Sequence, residues 1–402
     1  MAKKIIVYLF IVAISVQARS YLGLNYPLGL PMEGTPGMSR SMGNTGTGIR
    51  DISLGLALNP ANMAMPNQSS FSTLYSLEMN TFNGNSKERV QSSHPSFISF
   101  IMPLGQLGNV GVSVDKRTDG ESSHRSVGFF EGTEDTIYTG IVRSGGLTAW
   151  QGGWGYQFQN DLSIGVTYER FFYNMKTDRI HGFADGDDNV GRIINRNQIS
   201  FPANGIRGGI LYPINKLSIG VSGEYIFPSE GTIDSELILY DGTTKSERDI
   251  SVHLPPSASV GLSYRFNRHW LAAADVGVTL WDRYISDIDN TDDLRRAYSF
   301  SAGANYTPVR GQITQNYWER IQYRAGLNYS QMPLEGASSR SLSMGLGLPV
   351  QESSGILDVV FEMGRRTDDH DERLKDYSES FYRIHLGING SRKWFEQRRY
   401  TY

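Results

Sequence analysis

The sequence predicts an all-β fold, a closed antiparallel transmembrane β-barrel of about 14 strands. Three observations predict it. From about residue 70 onward apolar and polar residues alternate with a period of two, segment after segment. The links between segments alternate between tight and long, and an export signal precedes them all.

The export signal comes first in the chain. Lys3 and Lys4 form a basic start, Ile5 to Val16 is apolar, and Val16-Gln17-Ala18 offers a small residue for cleavage. Residues 1–18 are therefore expected to be a signal peptide, with the mature chain starting near Arg19. The apolar run is about 12 residues, short of the roughly 20 that a spanning helix needs. Later windows are interrupted by charge, and the mean hydropathy is -0.35, so helical membrane proteins are excluded. Without cysteine the chain has neither a lipid-anchored N-terminal Cys nor a thiolate metal site. With 38 basic and 41 acidic residues the net charge is -3, which leaves no electrostatic footprint for nucleic acid.

The strand segments then follow. In Leu162 to Glu169 one face is Leu, Ile, Val and Tyr, and the other is Ser, Gly, Thr and Glu. Leu217 to Tyr225, Ala258 to Phe266, Tyr298 to Tyr306, Tyr323 to Ser330, Ser341 to Leu348 and Tyr382 to Asn389 repeat the pattern. Each polar face is small or charged. Aromatic residues stand at the ends of the apolar faces, as at Tyr264/Phe266, Trp270, Tyr298/Tyr306 and Tyr323/Tyr329, around aliphatic or Ala centres. An apolar band edged by aromatics suits a membrane wall; a soluble propeller or sandwich would turn the same alternation toward a dry core. Strand centres fall near residues 76, 99, 112, 151, 167, 208, 221, 260, 275, 301, 326, 344, 360 and 385. Tight periplasmic turns are expected near 104–108, 159–161, 213–216, 267–269 and 351–355, with a longer connection on the same side near 307–318, and polar outer loops near 83–94, 116–144, 174–203, 228–253, 284–295 and 366–378. An even count puts both barrel ends in the periplasm. The expected division is a barrel over 70–390 and a short basic tail over 391–402.

Residues 19–69 do not alternate. They are rich in Gly and Pro, with one helix-like stretch near Asp51 to Ala64, and either hang in the periplasm or fold into the lumen. Ser39-Arg40-Ser41-Met42-Gly43-Asn44-Thr45-Gly46-Thr47-Gly48 followed by Asn59-Pro60-Ala61 resembles the hatch of the FadL-type outer-membrane transporters for long-chain fatty acids and other hydrophobic compounds. Leu254-Pro255-Pro256-Ser257-Ala258, Trp270 to Trp281 and Tyr323 to Tyr329 are similar in character to that family. The resemblance implies a barrel plugged by an N-terminal hatch, passive uptake of a hydrophobic ligand, lateral exit through a gap in the wall, and a gate at Asn59, Pro60 and Ala61. Discharge into the bilayer avoids returning a greasy ligand to water. Pro60 lacks an N–H and disfavours helix at Asn59, so a rigid kink is expected there, or an ordinary turn after a short helix.

His385 and the serines Ser341 and Ser343 face the expected lumen, but no nucleophile signature accompanies them, so no enzyme is expected. Glu169, Arg207, Glu224, Arg265, Asp275, Arg324, Asp358, Glu362 and Arg383 are of both signs and read as a polar lumen network rather than an ion-selective site. The acidic runs at 185–189, 289–293 and 368–372 lack the full calcium-loop pattern and read as solvated outer loops, and no metal or cofactor is expected. Expected partners are a hydrophobic small molecule, outer-membrane lipid with lipopolysaccharide, and the barrel assembly machinery. The competing reading is a FadL-like scaffold or secretion-system component that holds protein partners without transport; a general porin is a third. The outer membrane is the expected location.

Overall fold

The computed structural model describes residues 26, 28–32, 34–65, 68–83, 87–129, 136–183, 193–239, 241–287, 294–308, 316–350, 355–367 and 378–393. The signal peptide, the three acidic runs and the tail beyond Lys393 lie outside the described residues.

Fourteen antiparallel strands close into one barrel. They are β1 (Gln68–Asn83), β2 (Lys87–Pro103), β3 (Asn109–Lys116, resumed at Ser122–Phe129), β4 (Thr136–Gln157), β5 (Ser163–Phe183), β6 (Ile193–Ile214) and β7 (Leu217–Ile226, resumed at Ser229–Leu239). There follow β8 (Gly242–His253, resumed at Ser257–Arg265), β9 (Trp270–Thr279), β10 (Ala297–Tyr306), β11 (Gln322–Gln331), β12 (Ser338–Val350), β13 (Gly355–Thr367) and β14 (Ser378–Lys393). β14 pairs with β1 from Gln68↔Lys393 to Asn83↔Ser378, which closes the wall and removes that edge. Every strand centre expected from the alternation lies within one of these strands.

The alternation does what its period dictates. On β5 the side chains of Thr167, Glu169 and Phe171 are buried in the lumen, while Val166, Tyr168 and Phe172 are exposed on the outer wall. The same parity places Ser263 inside and Leu262 and Tyr264 outside on β8. The expected outer loops are a correction. Much of 174–183, 193–203 and 229–253 is strand, built into long β-ribbons by pairings such as Met175↔Ile199 and Ser235↔Ser246. Beyond the bilayer a strand has no greasy side to keep, so the period-two signal fades although the ladder continues. In that ribbon Lys245 Nζ donates to Glu236 Oε1 at 2.6 Å, and the bond holds the Glu236 carboxyl below its ordinary pKa.

Residues from Tyr26 to Met65 run inside the barrel. Helix α1 (Gly37–Ser41) packs against β11 to β14, and two 3-10 turns follow, Ile52–Leu54 and Pro60–Ala64, the second against β4 to β6. The helix-like stretch expected near 51–64 is thus two single turns, and α1 lies upstream of it. Met38, Met42, Ile49 and Leu54 pack with Leu271 and Ala273 of β9; Ile52, Leu56 and Met63 pack with Ile101 of β2. At the outer end Tyr26, Leu28 and Leu30 enter a larger apolar cluster with Phe171, Tyr173, Phe201, Leu254 and Trp281.

The wall is built to admit this plug. At the inward positions Gly220, Gly261, Gly303 and Gly326 the hatch backbone from Met42 to Gly48 comes so close that a Cβ would collide with it. The inward glycines that made the polar faces look merely small are the track on which the hatch lies.

Candidate functional site

The site is the plugged lumen, and barrel side chains reach hatch backbone groups all round it. Asp275 Oδ2 accepts the N–H groups of Gly46 and Thr47 at 2.7 and 2.8 Å. Ser263 donates to the Gly48 carbonyl at 2.8 Å, Ser343 accepts the Gly43 N–H at 3.0 Å, and Arg207 donates to the Ala57 carbonyl. The hatch has little regular structure of its own, so its buried peptide groups need such partners.

Asn59 is extended at φ -142° and caps the Pro60–Ala64 turn, its Oδ1 accepting the Ala61 N–H at 3.0 Å. Its Nδ2 donates to the carbonyls of Thr47, at 2.9 Å, and of Ile210 on β6, at 3.1 Å. Pro60 occupies the first position of the turn, where a missing N–H costs nothing. Asn59, Pro60 and Ala61 are all buried, so one side chain joins two parts of the hatch and the wall.

The lumen charges divide into three networks. In the first, Arg207 bridges Glu169 (3.2 Å) and Glu224 (2.7 Å), and Arg117 joins Asp115 (2.5 Å), Glu169 and Glu224. In the second, Arg324 pairs with Asp358 at 2.6 Å, and Asn389 donates to the same carboxylate. In the third, Arg383 joins Glu78 (2.9 Å) and Glu362 (3.4 Å), Arg366 joins Glu78 and Glu379, and Arg40 of α1 reaches Glu362 at 3.9 Å. Arg366 and Arg383 lie over the Phe381 ring at 4.4 and 4.2 Å. Asp275 stands apart, engaged with the hatch backbone. Arg265, half-buried near the periplasmic end of β8, joins none of the three networks among the described residues.

Glu78, Asp115, Arg366 and Glu379 were missed by reading the sequence, although the parity that exposed Glu362 and Arg383 also places Glu78 and Asp115 inside. Arg40 and Arg117 carry no such signal, because neither lies in an alternating segment.

His385 sits between two partners, Nδ1 2.7 Å from Ser76 Oγ and Nε2 3.1 Å from Glu362 Oε2. The order is that of an acyl-transfer triad. However, Ser76 lies mid-strand, where backbone N–H groups serve the ladder, and acyl transfer needs preorganised donors for the oxyanion. Arg40 and Arg383 already engage Glu362, and the arrangement acts as a hydrogen-bonded brace.

Cavities lie in the lumen between the described residues. One of about 250 Å³ lies between the third network and the outer apolar cluster, lined by Arg40, Glu78, Arg366, Arg383, Trp281 and Met332. Another of about 200 Å³ is lined by Asp115, Arg117, Arg207, Glu224 and Asp275 with hatch residues Thr47 and Leu58.

The wall has a discontinuity beside them. β3 turns inward at Arg117–Glu121, where Thr118–Asp119 pairs with Leu30–Pro31 of the hatch segment, and Gly145 and Gly146 take positive φ on the neighbouring strand. The β2–β3 ladder ends at Phe97↔Asp115, and no pairing joins the outer halves of these strands among the described residues.

Comparison with known proteins decides the family. The BamG family model matches residues 1–401. The chain belongs to the BamG family. No curated protein matches the sequence of this BamG-family barrel. Solved structures of similar fold include the CymD monoaromatic hydrocarbon channel, at 16% identity over 92% of this chain and 100% of that one, TM-score 0.60. The Pseudomonas putida toluene transporter TodX gives 16% identity over 91% and 99%, TM-score 0.59, and a Pseudomonas aeruginosa FadL homologue 14% over 91% and 99%, TM-score 0.63. The fold is that of the FadL-type outer-membrane channels, and the protein is located in the outer membrane.

Proposed function

We propose that this barrel acts as a plugged scaffold of the outer membrane that holds protein partners in association with the barrel assembly machinery. The observation that carries the reading is the lumen. Two buried ion networks reach the hatch, one through Arg207 to the Ala57 carbonyl and one through Glu362 to Arg40, a row of hydrogen bonds holds the hatch backbone, and charged side chains stand on the walls of both cavities beside it. An oily ligand crossing there would part buried arginines from their carboxylates, which costs several kcal/mol per uncompensated ion. The name of the family that matches almost the whole chain points the same way. The test is purification of the full-length barrel from outer membranes in mild detergent, with depletion in parallel. Stoichiometric recovery with the central subunit of the assembly machinery, and a fall in the folded level of unrelated barrels on depletion, are expected. Recovery alone with unchanged barrel levels overturns the reading.

A second reading is passive uptake of hydrophobic small molecules such as long-chain fatty acids, with the hatch as gate and Asn59, Pro60 and Ala61 as its pivot. Two observations favour it: the apolar cluster at the outer end, and the seam between β2 and β3 that offers a side exit to lipid. Uptake of radiolabelled fatty acid or toluene into reconstituted vesicles tests it; vesicles no faster than protein-free controls sink it.

A further inference from the structure

The outer wall carries a cation, Arg170, that no carboxylate among the described residues neutralises. Arg170 lies on the lipid-facing side of β5, between Tyr168 and Phe172, which are 55% and 47% exposed. It is seven residues from the first residue of β5 at the short-turn end. At ~3.3 Å per residue and a tilt of ~40°, that is about 18 Å of height in an apolar band about 25 Å tall. Its cross-strand partners are Trp150 on β4 and Asn204 on β6. Trp150 meets Phe172 edge to face at 6.3 Å, and Tyr225 and Phe227 of the next strand pair at 5.3 Å, so Arg170 stands within the outer aromatic girdle.

The guanidinium is held rather than free to swing. Nη1 donates to Asn204 Oδ1 at 2.7 Å, the Tyr168 hydroxyl donates to the same oxygen at 2.6 Å, and the cation lies 5.7 Å from the centre of the Phe172 ring. No carboxylate pairs with it among the described residues. A guanidinium has five N–H donors in a planar fork, and one bond to an amide leaves most of them to the membrane interface. There the acceptor with matching geometry and charge is a phosphate oxygen pair. Tyr168 below it, Trp150 level with it and Phe172 above it offer flat apolar surface for an acyl chain.

We propose that Arg170, oriented by Asn204 and framed by Trp150, Tyr168 and Phe172, is a binding site for the phosphorylated headgroup of an outer-leaflet glycolipid of the lipid A type. The site lies on the outside of the wall, independent of the lumen and of either functional reading.

The test uses the full-length barrel in nanodiscs of phosphatidylcholine doped with lipid A, followed by detergent exchange and native mass spectrometry. Wild type is expected to retain lipid A, and Arg170→Gln to lose it by on the order of tenfold, the scale of one charge-assisted bond. Arg170→Lys should restore part of the retention, and Asn204→Ala should weaken it without removing the charge. Because Arg170 faces lipid, both Arg170 variants should keep the heat-resistant migration of the folded barrel. Dephosphorylated lipid A retained as well as the phosphorylated form would overturn the proposal. So would displacement by millimolar inorganic phosphate alone, which would assign the site to a free anion, or unchanged retention by Arg170→Gln.

Discussion

The inner and outer parts of the lumen solve the same problem by opposite means. Around the hatch the wall offers glycine, serine and charge, and hydrogen bonds and ion pairs with fixed directions act beside the apolar contacts of Met42, Ile49, Leu54 and Met63. At the outer end it offers Phe171, Phe201, Leu254 and Trp281, and the side chains of Tyr26, Leu28 and Leu30 pack among them by apolar contact, with the Leu30–Pro31 ladder and the Thr118 bond to the Leu28 carbonyl anchoring the backbone. Directional contacts specify one position of the plug and fail abruptly when a partner is lost. Apolar contacts tolerate a shifted or exchanged occupant. The hatch is therefore built to stay in register, whereas the chamber above it is built to be filled.

The largest expected effect comes from breaking the glycine track. Gly220→Leu and Gly326→Leu each drive a side chain into hatch backbone, which has nowhere to retreat. The cost should exceed the ~1–3 kcal/mol of ordinary overpacking. Limited proteolysis should cut between residues 42 and 65 in these variants and leave wild type intact. If the hatch stays protected, the track is not what seats it. Next is Glu362→Leu, which leaves Arg40 and Arg383 facing one another without their shared carboxylate. A loss of about 3–5 kcal/mol in urea unfolding of the detergent-solubilised barrel is expected, as for other broken buried pairs. The outer region sharpens the contrast. Leu254→Ala should cost about 2–3 kcal/mol, toward the low end for a buried leucine beside an adaptable cluster, and should leave the hatch protected from protease. Exposure of the hatch in Leu254→Ala would erase the distinction between the two parts.

This contrast also explains what could be read from the chain. The wall strands were legible because a membrane wall enforces period two at each residue: Val166, Tyr168 and Phe172 must face lipid while Thr167, Glu169 and Phe171 must not. The ribbons above the bilayer lost that constraint, so Ser229–Leu239 and Gly242–His253 looked like loops. Charged lumen positions were visible by parity, but their grouping was not. Glu169 meets Arg207 across two paired strands, but it meets Arg117 only because β3 turns inward there, a bend that goes with the hatch strand Leu30–Pro31 and with Gly145 and Gly146. Glu78 meets Arg383 only because the first and last strands close the barrel. Those are long-range consequences of closure and plugging, and no local window contains them.

The smallest predicted effect is the most discriminating. Asn59→Ala removes a cap worth ~1 kcal/mol and two donated hydrogen bonds, one within the hatch and one to the wall. A loss of about 1–2 kcal/mol is expected, since the released carbonyls of Thr47 and Ile210 can find other partners more readily than a buried charge can. Asn59→Asp separates the two roles of the side chain. Aspartate keeps the acceptor for the Ala61 N–H, so a residue that only capped the turn would tolerate it without penalty. Here the other oxygen would replace Nδ2 and face two carbonyls, in a site where no cation bonds to Asn59 among the described residues. Asn59→Asp should then be less stable than Asn59→Ala at neutral pH, in the same urea titration. If Asp instead matches wild type, Asn59 is only a cap, and the tie between hatch and wall at Ile210 carries no weight.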